Sequence, residues 1–199
     1  MEWGPRSLGN RSILADPRNN QMQKKLNISI KYREGFRPFA PAVLDEDLNK
    51  YFVNSPFCSY MLFTAPVSPR YRKQLPSDFS SLNITEQLYF DRSLLPAITH
   101  VDFSARVQVV TKKFNERFWH LLKAFKRATG CGMLVNTSFN VRDEPIVCTP
   151  QDALNCFFNT QIDYLVLGNR VISKIDSQRH FVENFLCEAP NATLPKAAI

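Results

Sequence analysis

Apolar residues recur at helical spacing in two stretches of the chain. One stretch begins after Asn115 and ends at Thr129, where Gly130 follows as a typical C-terminal cap. The other follows Thr149, a typical N-cap, and has Pro150 at its first helical position. The pattern therefore predicts an α-helix in each stretch.

Other apolar stretches are short, or alternate with polar residues as strands do. SYMLFTAPV and GMLVNTSFN each predict a strand, the second followed by a polar loop at residues 136–140. AITHVDFSARVQVVT predicts one long strand or two with a bend, with one face packed and Arg106 presented on the other. DYLVLGNRVISK predicts a hairpin that turns at Gly168 and Asn169. With a short helix near residues 20–28, these elements indicate an α/β or α+β fold.

Composition predicts a single globular domain. The chain has 199 residues, of which 44% are hydrophobic, enough to bury one sizeable core. Residues 68–95 lack periodicity and predict a surface insertion, and residues 177–199 predict a tail that is loosely attached or disordered. No apolar run is long enough for a membrane span, and no secretion signal is visible, so we expect a cytoplasmic protein with no membrane partner.

The net charge of +7 is concentrated near the start of the chain. Residues 1–40 carry eight Lys and Arg side chains but only three acidic ones. This excess indicates a phosphate-bearing partner, either a small anion or a nucleic acid. The five cysteines are scattered without metal-binding spacing, so we expect reduced thiols and no metal ligands in the chain.

The segment KYREGFRPF contains three closely spaced cations, Lys31, Arg33 and Arg37. In an extended chain their side chains emerge on the same side, where an anion would relieve their mutual repulsion. The guanidinium fork of arginine suits phosphate oxygens particularly well. The alternative is a basic loop that is simply exposed to solvent.

Two further groups could carry chemistry. Arg106 stands among strand residues, where it is either an exposed edge residue or the partner of a carboxylate such as Asp102. The segment NTSFNVRDEP places small hydroxyl and amide groups at the end of a buried strand, where they could bind phosphate or a sugar hydroxyl. Asn and Ser also favour turns, so a purely structural loop is equally open. The polar side chains concerned are Asn136, Ser138, Asn140 and Arg142.

Familiar catalytic motifs are absent from the sequence. It contains no phosphate-binding glycine loop of the GxxxxGK[ST] or GxGxxG type and no HExxH zinc motif. The three histidines are far apart, and Cys148 has no identifiable base partner. Nucleophilic catalysis is therefore not expected.

Taken together, several segments resemble the carboxy-terminal domain of the NodU/TobZ type of O-carbamoyltransferases, over roughly residues 1–175. The resemblance rests on MEWGPRSLGNRSILADPR, KYREGFRPFAPAVL, SYMLFTAPV, PAITHVDFSARVQVV, LVNTSFNVRDEPIVCTPQDAL and DYLVLGNRVI. It implies a YrdC-like domain, with a twisted mixed β-sheet flanked by helices, over residues 31–176. Residues 1–30 would connect it to a preceding domain of the ASKHA type, which is missing from this chain.

The resemblance also implies an activity. In this family the carboxy-terminal domain is thought to form carbamoyl adenylate from carbamoyl phosphate and ATP, with Mg²⁺ bridging the phosphates. The amino-terminal domain then transfers the carbamoyl group to a hydroxyl acceptor. Lys31 and Arg33 match the basic pair that contacts nucleotide and carbamoyl phosphate, and Arg106 matches a strand arginine of the site. Ser138, with Asn136 and Asn140, matches the loop that lines the nucleotide pocket.

Charge and position add Arg37 and Arg142 to the implied binding set. One departure from the family pattern concerns the same loop, since Asp143 stands where the family usually has Gly.

Two other functions stay open, a basic RNA-binding module without catalysis and an inactive fragment, although a nucleic-acid partner is not expected. We expect Lys31→Ala and Arg106→Ala to weaken nucleotide binding while leaving thermal stability nearly unchanged.

Overall fold

The computed structural model describes residues 6–175, which form two compact units that divide between Ile146 and Val147. The predicted tail at residues 177–199 lies outside the described residues, and so do His180 and Cys187. None of the helices within residues 6–175 has the length and apolarity needed to cross a membrane.

A four-stranded sheet forms the centre of the first unit. Its strands are β1 (Ser12–Ala15), β2 (Ala40–Leu44), β5 (Gln108–Val110) and β6 (Met133–Ser138). Their order is β1-β6-β2-β5, in which β2 pairs with β5 in parallel and all other pairs are antiparallel. Every residue of β2 is buried, as expected for a central strand between two neighbours. The mixed sheet confirms the predicted α/β class.

Helix α4 (Glu116–Thr129) packs on this sheet and confirms the helix predicted there. Asn115 caps its start by accepting a hydrogen bond from the backbone N–H of Phe118 at 3.1 Å. Gly130 ends it in the left-handed conformation, with φ of 75°, which glycine adopts without strain. The helix buries Phe118 and Leu122 in a cluster with strand residues, whose other buried members are Ala42, Leu44, Val110 and Leu134.

Shorter elements complete the first unit. Strands β3 (Thr64–Pro66) and β4 (Ser104–Arg106) form a separate antiparallel pair, in which Thr64 lies opposite Arg106. The sequence predicted one strand over residues 59–67, but only β3, near the end of that region, is a strand. Met61 has a positive φ of 55°, which interrupts extended structure before β3. The elements are α1 (Met22–Ser29), α2 (Leu48–Tyr51), β3 (Thr64–Pro66), α3 (Ile84–Tyr89) and β4 (Ser104–Arg106).

The segment predicted as a surface insertion contains α3. Asn83 caps that helix, since its side chain accepts from the backbone N–H of Glu86 at 2.9 Å and the carboxylate of Glu86 accepts from the N–H of Asn83. None of residues 68–91 is fully buried. Arg92 and Leu95, by contrast, are only 5% and 2% exposed, so the segment returns to the core at its end.

The second unit contains a helix and a hairpin. In α5 (Pro150–Phe158), Thr149 and Asp152 form a capping box, as the sequence predicted from this N-cap and Pro150. Strands β7 (Tyr164–Leu167) and β8 (Arg170–Ser173) pair antiparallel and confirm the predicted hairpin.

The alternating segment before α4 forms two strands, β4 and β5, which pair with different partners. The polar face of this segment was expected to be exposed, but Gln108, which lies on it, is fully buried. Its amide group donates to the carbonyl of Leu8 at 2.9 Å and accepts from Asn136 at 2.7 Å. A buried amide is tolerated when it is hydrogen-bonded in this way.

Candidate functional site

The three predicted cations lie in a loop that begins where α1 ends, which we call the basic loop (residues 31–37). The N–H of Lys31 donates to the carbonyl of Leu26 at 2.9 Å, and Tyr32 then takes a positive φ of 47°. This reversal turns the chain sharply away from the helix. The loop is therefore not extended, as the spacing argument assumed, but it still brings Lys31, Arg33 and Arg37 to one cleft.

A buried amide in α1 holds the basic loop in place. Asn27 is fully buried, and its side-chain N–H groups donate to the carbonyls of Gly35 at 3.2 Å and Arg37 at 2.8 Å. Its side-chain oxygen accepts from Nε of Arg33 at 2.7 Å. One side chain thus satisfies backbone groups at two points of the loop and also orients a guanidinium.

Lys31 is the most buried cation of the loop, at 5% exposure. Its ammonium group donates to the backbone carbonyl and to Oγ of Ser138, the latter at 3.2 Å. It also donates to the carbonyl of Asn140 at 2.8 Å and to Oδ1 of Asn140 at 2.7 Å. The positive charge is therefore solvated by oxygen atoms of the loop that follows β6.

The last residue of β6 and the loop that follows it have their own network, and we call this segment the polar loop (residues 138–143). Oγ of Ser138 donates to Oδ1 of Asn140 at 2.7 Å, and Nδ2 of Asn140 donates to the carbonyl of Glu144 at 2.7 Å. Asp143 has a positive φ of 63°, a conformation that glycine adopts without strain and that Asp tolerates better than most residues. This backbone geometry gives a physical reason for a glycine at this position in the resembled family.

Arg33 is half-buried, with its guanidinium 5.1 Å from the ring centre of Phe39. Burial, followed by the nearby charge of Arg37, lowers the pKa of Arg33, while Glu34 opposes the shift. A guanidinium that is partly desolvated and close to another cation gains more from an anion than one in open solvent.

The outer part of the cleft carries exposed charges. Nε of Arg37 lies 2.9 Å from the carboxylate of Glu34, and Nε of Arg142 lies 3.5 Å from that of Asp143. The pKa of Glu34 is lowered by a hydrogen bond from its own backbone, then by Arg37 and more weakly by Arg142. These pairs are exposed to solvent, so they are weak and open to competition from a bound anion.

The basic loop and the polar loop enclose an open cleft of about 330 Å³. Four cations and two carboxylates line it, which leaves an excess of two positive charges. The size lies at the lower end of the range for small-molecule sites, and the charge suits a polyanion. The lining residues are Lys31, Arg33, Glu34, Arg37, Ser138, Asn140, Val141, Arg142 and Asp143.

Two of the predicted site residues do not line this cleft. Asn136 lies within β6 and not in the polar loop, is 1% exposed, and donates to the carbonyl of Ser7 at 3.0 Å and to Gln108. Arg106 lies on β4 and is half-buried. Burial, and then the charge of Arg6, lowers the pKa of Arg106. Arg6 and Arg106 thus form a second region of positive charge in the same unit.

Asn27 and Glu34 belong to the site but were not among the residues predicted from the sequence. Asn27 carried a usable signal, because it falls three residues before Ile30 and next to Leu26, on the apolar side of the short helix. A polar residue at such a position must find buried hydrogen-bond partners. Glu34 gave no comparable signal, since an acid within a basic segment is common on exposed loops.

The family described as "Carbamoyltransferase C-terminus" matches residues 1–174 of this chain. Relatives include an uncharacterized protein of Synechocystis sp., 55% identical over 87% of this chain and 28% of its own length. Nodulation protein NolNO of Sinorhizobium fredii is 42% identical over 87% of the chain and 23% of its own length. The 3'-hydroxymethylcephem-O-carbamoyltransferase of Amycolatopsis lactamdurans is 36% identical over 84% of the chain and 28% of its own length. The chain therefore spans about a quarter of the length of these relatives.

Proposed function

The chain belongs to the carbamoyltransferase C-terminus family, and from this premise we propose that it binds ATP and carbamoyl phosphate and forms carbamoyl adenylate. The observation that carries the proposal is the cleft between the basic loop and the polar loop. It gathers Lys31, Arg33, Arg37 and Arg142 around one open volume, with hydroxyl and amide groups from Ser138 and Asn140. Two substrates that both carry phosphate groups need such a concentration of positive charge.

The proposed reaction needs charge stabilisation more than a nucleophilic side chain. A carbamate oxygen forms a bond to the α-phosphorus of ATP while the bond from that phosphorus to pyrophosphate breaks. The phosphate group of carbamoyl phosphate is released through attack by water, which supplies the carbamate. Negative charge accumulates on the phosphoryl oxygens in the transition state, and fixed cations such as Arg33 stabilise it there.

The polar residues of the cleft, and two predicted residues that lie outside it, have different roles in this proposal. Lys31 holds the polar loop in position, because its ammonium group is already bonded to Ser138 and Asn140. Arg37 and Arg142 are exposed and free to turn from their weak carboxylate partners toward a phosphate. Arg106 and Asn136 remain in the proposed binding set by family resemblance, Arg106 contributing positive charge and Asn136 supporting the end of β6.

Mg²⁺ enters the proposal with the nucleotide. Residues 6–175 contain no group of three or more His, Cys, Asp and Glu side chains that could hold a metal ion. The cleft itself offers the carboxylates of Glu34 and Asp143. Magnesium is commonly bound by substrate phosphates with one or two carboxylates, so these donors fit an ion delivered as MgATP. Bound there, the ion would neutralise phosphate charge.

The direct test is carbamoyl-phosphate-dependent exchange of labelled pyrophosphate into ATP, measured with the purified chain. We expect exchange only when carbamoyl phosphate is present. Arg142→Gln should reduce it about tenfold, whereas Arg117→Gln, an exposed change on α4, should leave it unchanged. If the folded protein shows no exchange, adenylate formation is contradicted, and the alternative of an inactive fragment is favoured. Steeply salt-dependent RNA binding that ATP does not compete would favour the RNA-binding alternative.

Transfer of the carbamoyl group to a hydroxyl acceptor is proposed for a larger assembly. This chain corresponds to about a quarter of each relative, one of which is named as an O-carbamoyltransferase. We propose that an ASKHA-type amino-terminal domain is the partner that completes the transfer. Addition of such a domain from a relative should convert adenylate formation into carbamoylation of an acceptor.

A further inference from the structure

The first unit contains a second cavity, of about 350 Å³, which we call the Arg92 cavity. The basic loop and the residue that follows it contribute to both the Arg92 cavity and the cleft, but with different residues. Gly35, Phe36 and Pro38 line the Arg92 cavity, whereas Glu34 and Arg37 line the cleft. The remaining walls come from the start of α1, from residues 88–92 and from residues 96–101. The two cavities are therefore separate sites that share one loop.

Three aromatic side chains, those of Phe36, Tyr89 and Phe90, contribute to the wall of the Arg92 cavity. Phe36 and Tyr89 are 37% and 52% exposed, so their rings are accessible and not committed to the core. Phe90 is half-buried and packs edge-on against Phe79, with the ring centres 5.3 Å apart. Gly35 allows close contact, because a Cβ there would lie 3.0 Å from the hydroxyl of Tyr89. Such walls suit a planar apolar ligand.

Arg92 supplies the polar feature of the cavity. The residue is 5% exposed, and its guanidinium donates to the backbone carbonyls of Gln87 and Leu88. Nε is buried and has no hydrogen-bond partner among residues 6–175. Asp91 also lines the cavity, but its carboxylate is paired with Lys73, which compensates its negative charge. Burial lowers the pKa of Arg92, as expected for a desolvated cation.

A buried guanidinium without an anion is energetically unfavourable, and an anion bound in the cavity that Arg92 lines would offset this cost. Lys24, on the exposed surface of α1, and His100 also line the cavity. We propose that the Arg92 cavity binds a small ligand with one anionic group, carboxylate or phosphate, on a planar apolar body. Arg92 holds the anion, and Phe36 and Tyr89 contact the planar body.

The proposal is tested by amide NMR titration of the full chain with benzoate, phenyl phosphate and the uncharged benzyl alcohol. We expect saturable shifts at residues 88–92 and 99–101 with at least one of the two anions, and at least tenfold weaker binding of benzyl alcohol. The anion that binds with the higher affinity, benzoate or phenyl phosphate, identifies the preferred anionic group as carboxylate or phosphate. Absence of saturable shifts with both anions, or equal binding of benzyl alcohol, would overturn the proposal.

Two variants locate the site. Arg92→Met should weaken anion binding at least tenfold, while Arg117→Met should bind as the parent does. Because Arg92→Met removes bonds to the end of α3 and could prevent folding, a rim variant is included. Val101 is 57% exposed and lines the cavity, so Val101→Glu and Val101→Gln should both fold. The glutamate should repel the anion and weaken its binding, whereas Val101→Gln should bind it as the parent does. Unchanged binding in Val101→Glu, or in folded Arg92→Met, would assign Arg92 only to capping α3.

Discussion

Nζ of Lys31 donates a hydrogen bond to Oδ1 of Asn140 at 2.7 Å and thereby joins the end of α1 to the loop after β6. The same ammonium group donates to the carbonyl of Asn140 and to two oxygens of Ser138. A protonated lysine has three N–H donors, so these four oxygens already satisfy it. Lys31 therefore builds the cleft as much as it supplies charge to it.

Replacing Lys31 by Met should both destabilise the protein and weaken anion binding. The change leaves partly buried oxygen atoms of Ser138 and Asn140 without their donor, at a cost of about 1–3 kcal/mol. These contacts revise the expectation from sequence that stability would hardly change. Chemical denaturation measures the free energy of unfolding, and calorimetry with pyrophosphate measures binding. Lys113→Met, an exposed change, is the control, and an unaltered unfolding free energy in Lys31→Met would contradict the structural role.

Replacing Asp143 by Asn should strengthen binding of pyrophosphate to the cleft when no Mg²⁺ is present for its carboxylate to bind. Asn tolerates the positive φ of 63° at this position, so the backbone is kept while a carboxylate is removed from a site for anions. Asp143 is exposed, so we expect a gain of only about two- to fivefold at low salt, which 0.5 M NaCl should largely abolish. The measurement is calorimetry at two salt concentrations. A gain that is independent of salt would point to a change of loop structure and not of charge.

The basic cluster was predictable because residues two to six apart in sequence cannot separate widely, whatever the backbone does. Lys31, Arg33 and Arg37 therefore reach one cleft although the loop is turned and not extended. The two predicted helices and the hairpin were predictable for a related reason. Their caps and turns are local signals, such as Thr149 before Pro150.

The positions of Asn136 and Gln108 were not predictable, because they depend on which strands become neighbours. Their hydrogen bond, 2.7 Å long, joins residues 28 positions apart within one sheet. Alternation places Gln108 on the same face of the segment as Arg106, which predicted exposure, but the sheet is covered there and buries it. The separation of Arg106 from the cleft likewise follows from the pairing of β4 with β3, which no local pattern specifies.

Replacing Arg106 by Ala should weaken nucleotide binding while leaving thermal stability nearly unchanged. Arg106 is partly desolvated and close to Arg6, so loss of its charge relieves repulsion and offsets the loss of its packing. We expect about tenfold weaker ATP binding, which corresponds to roughly 1.4 kcal/mol. Calorimetry and thermal unfolding provide the two measurements, with Arg117→Ala as the control. Unfolding of Arg106→Ala would show that the residue is structural, and unchanged ATP binding would exclude it from the site.

His100 should make stability depend on pH in the weakly acidic range. Burial lowers its pKa below the ordinary 6.5, with Arg106 acting in the same direction and Asp102 opposing it. As pH falls through 6.5, the unfolded chain therefore takes up a proton that the folded chain does not yet bind. The free energy of unfolding should then fall with decreasing pH, by at most about 1.4 kcal/mol per pH unit for one such group. Denaturation between pH 5 and pH 8 should show a shallower slope in His100→Gln than in the parent protein. Equal slopes in the parent and His100→Gln would contradict this assignment.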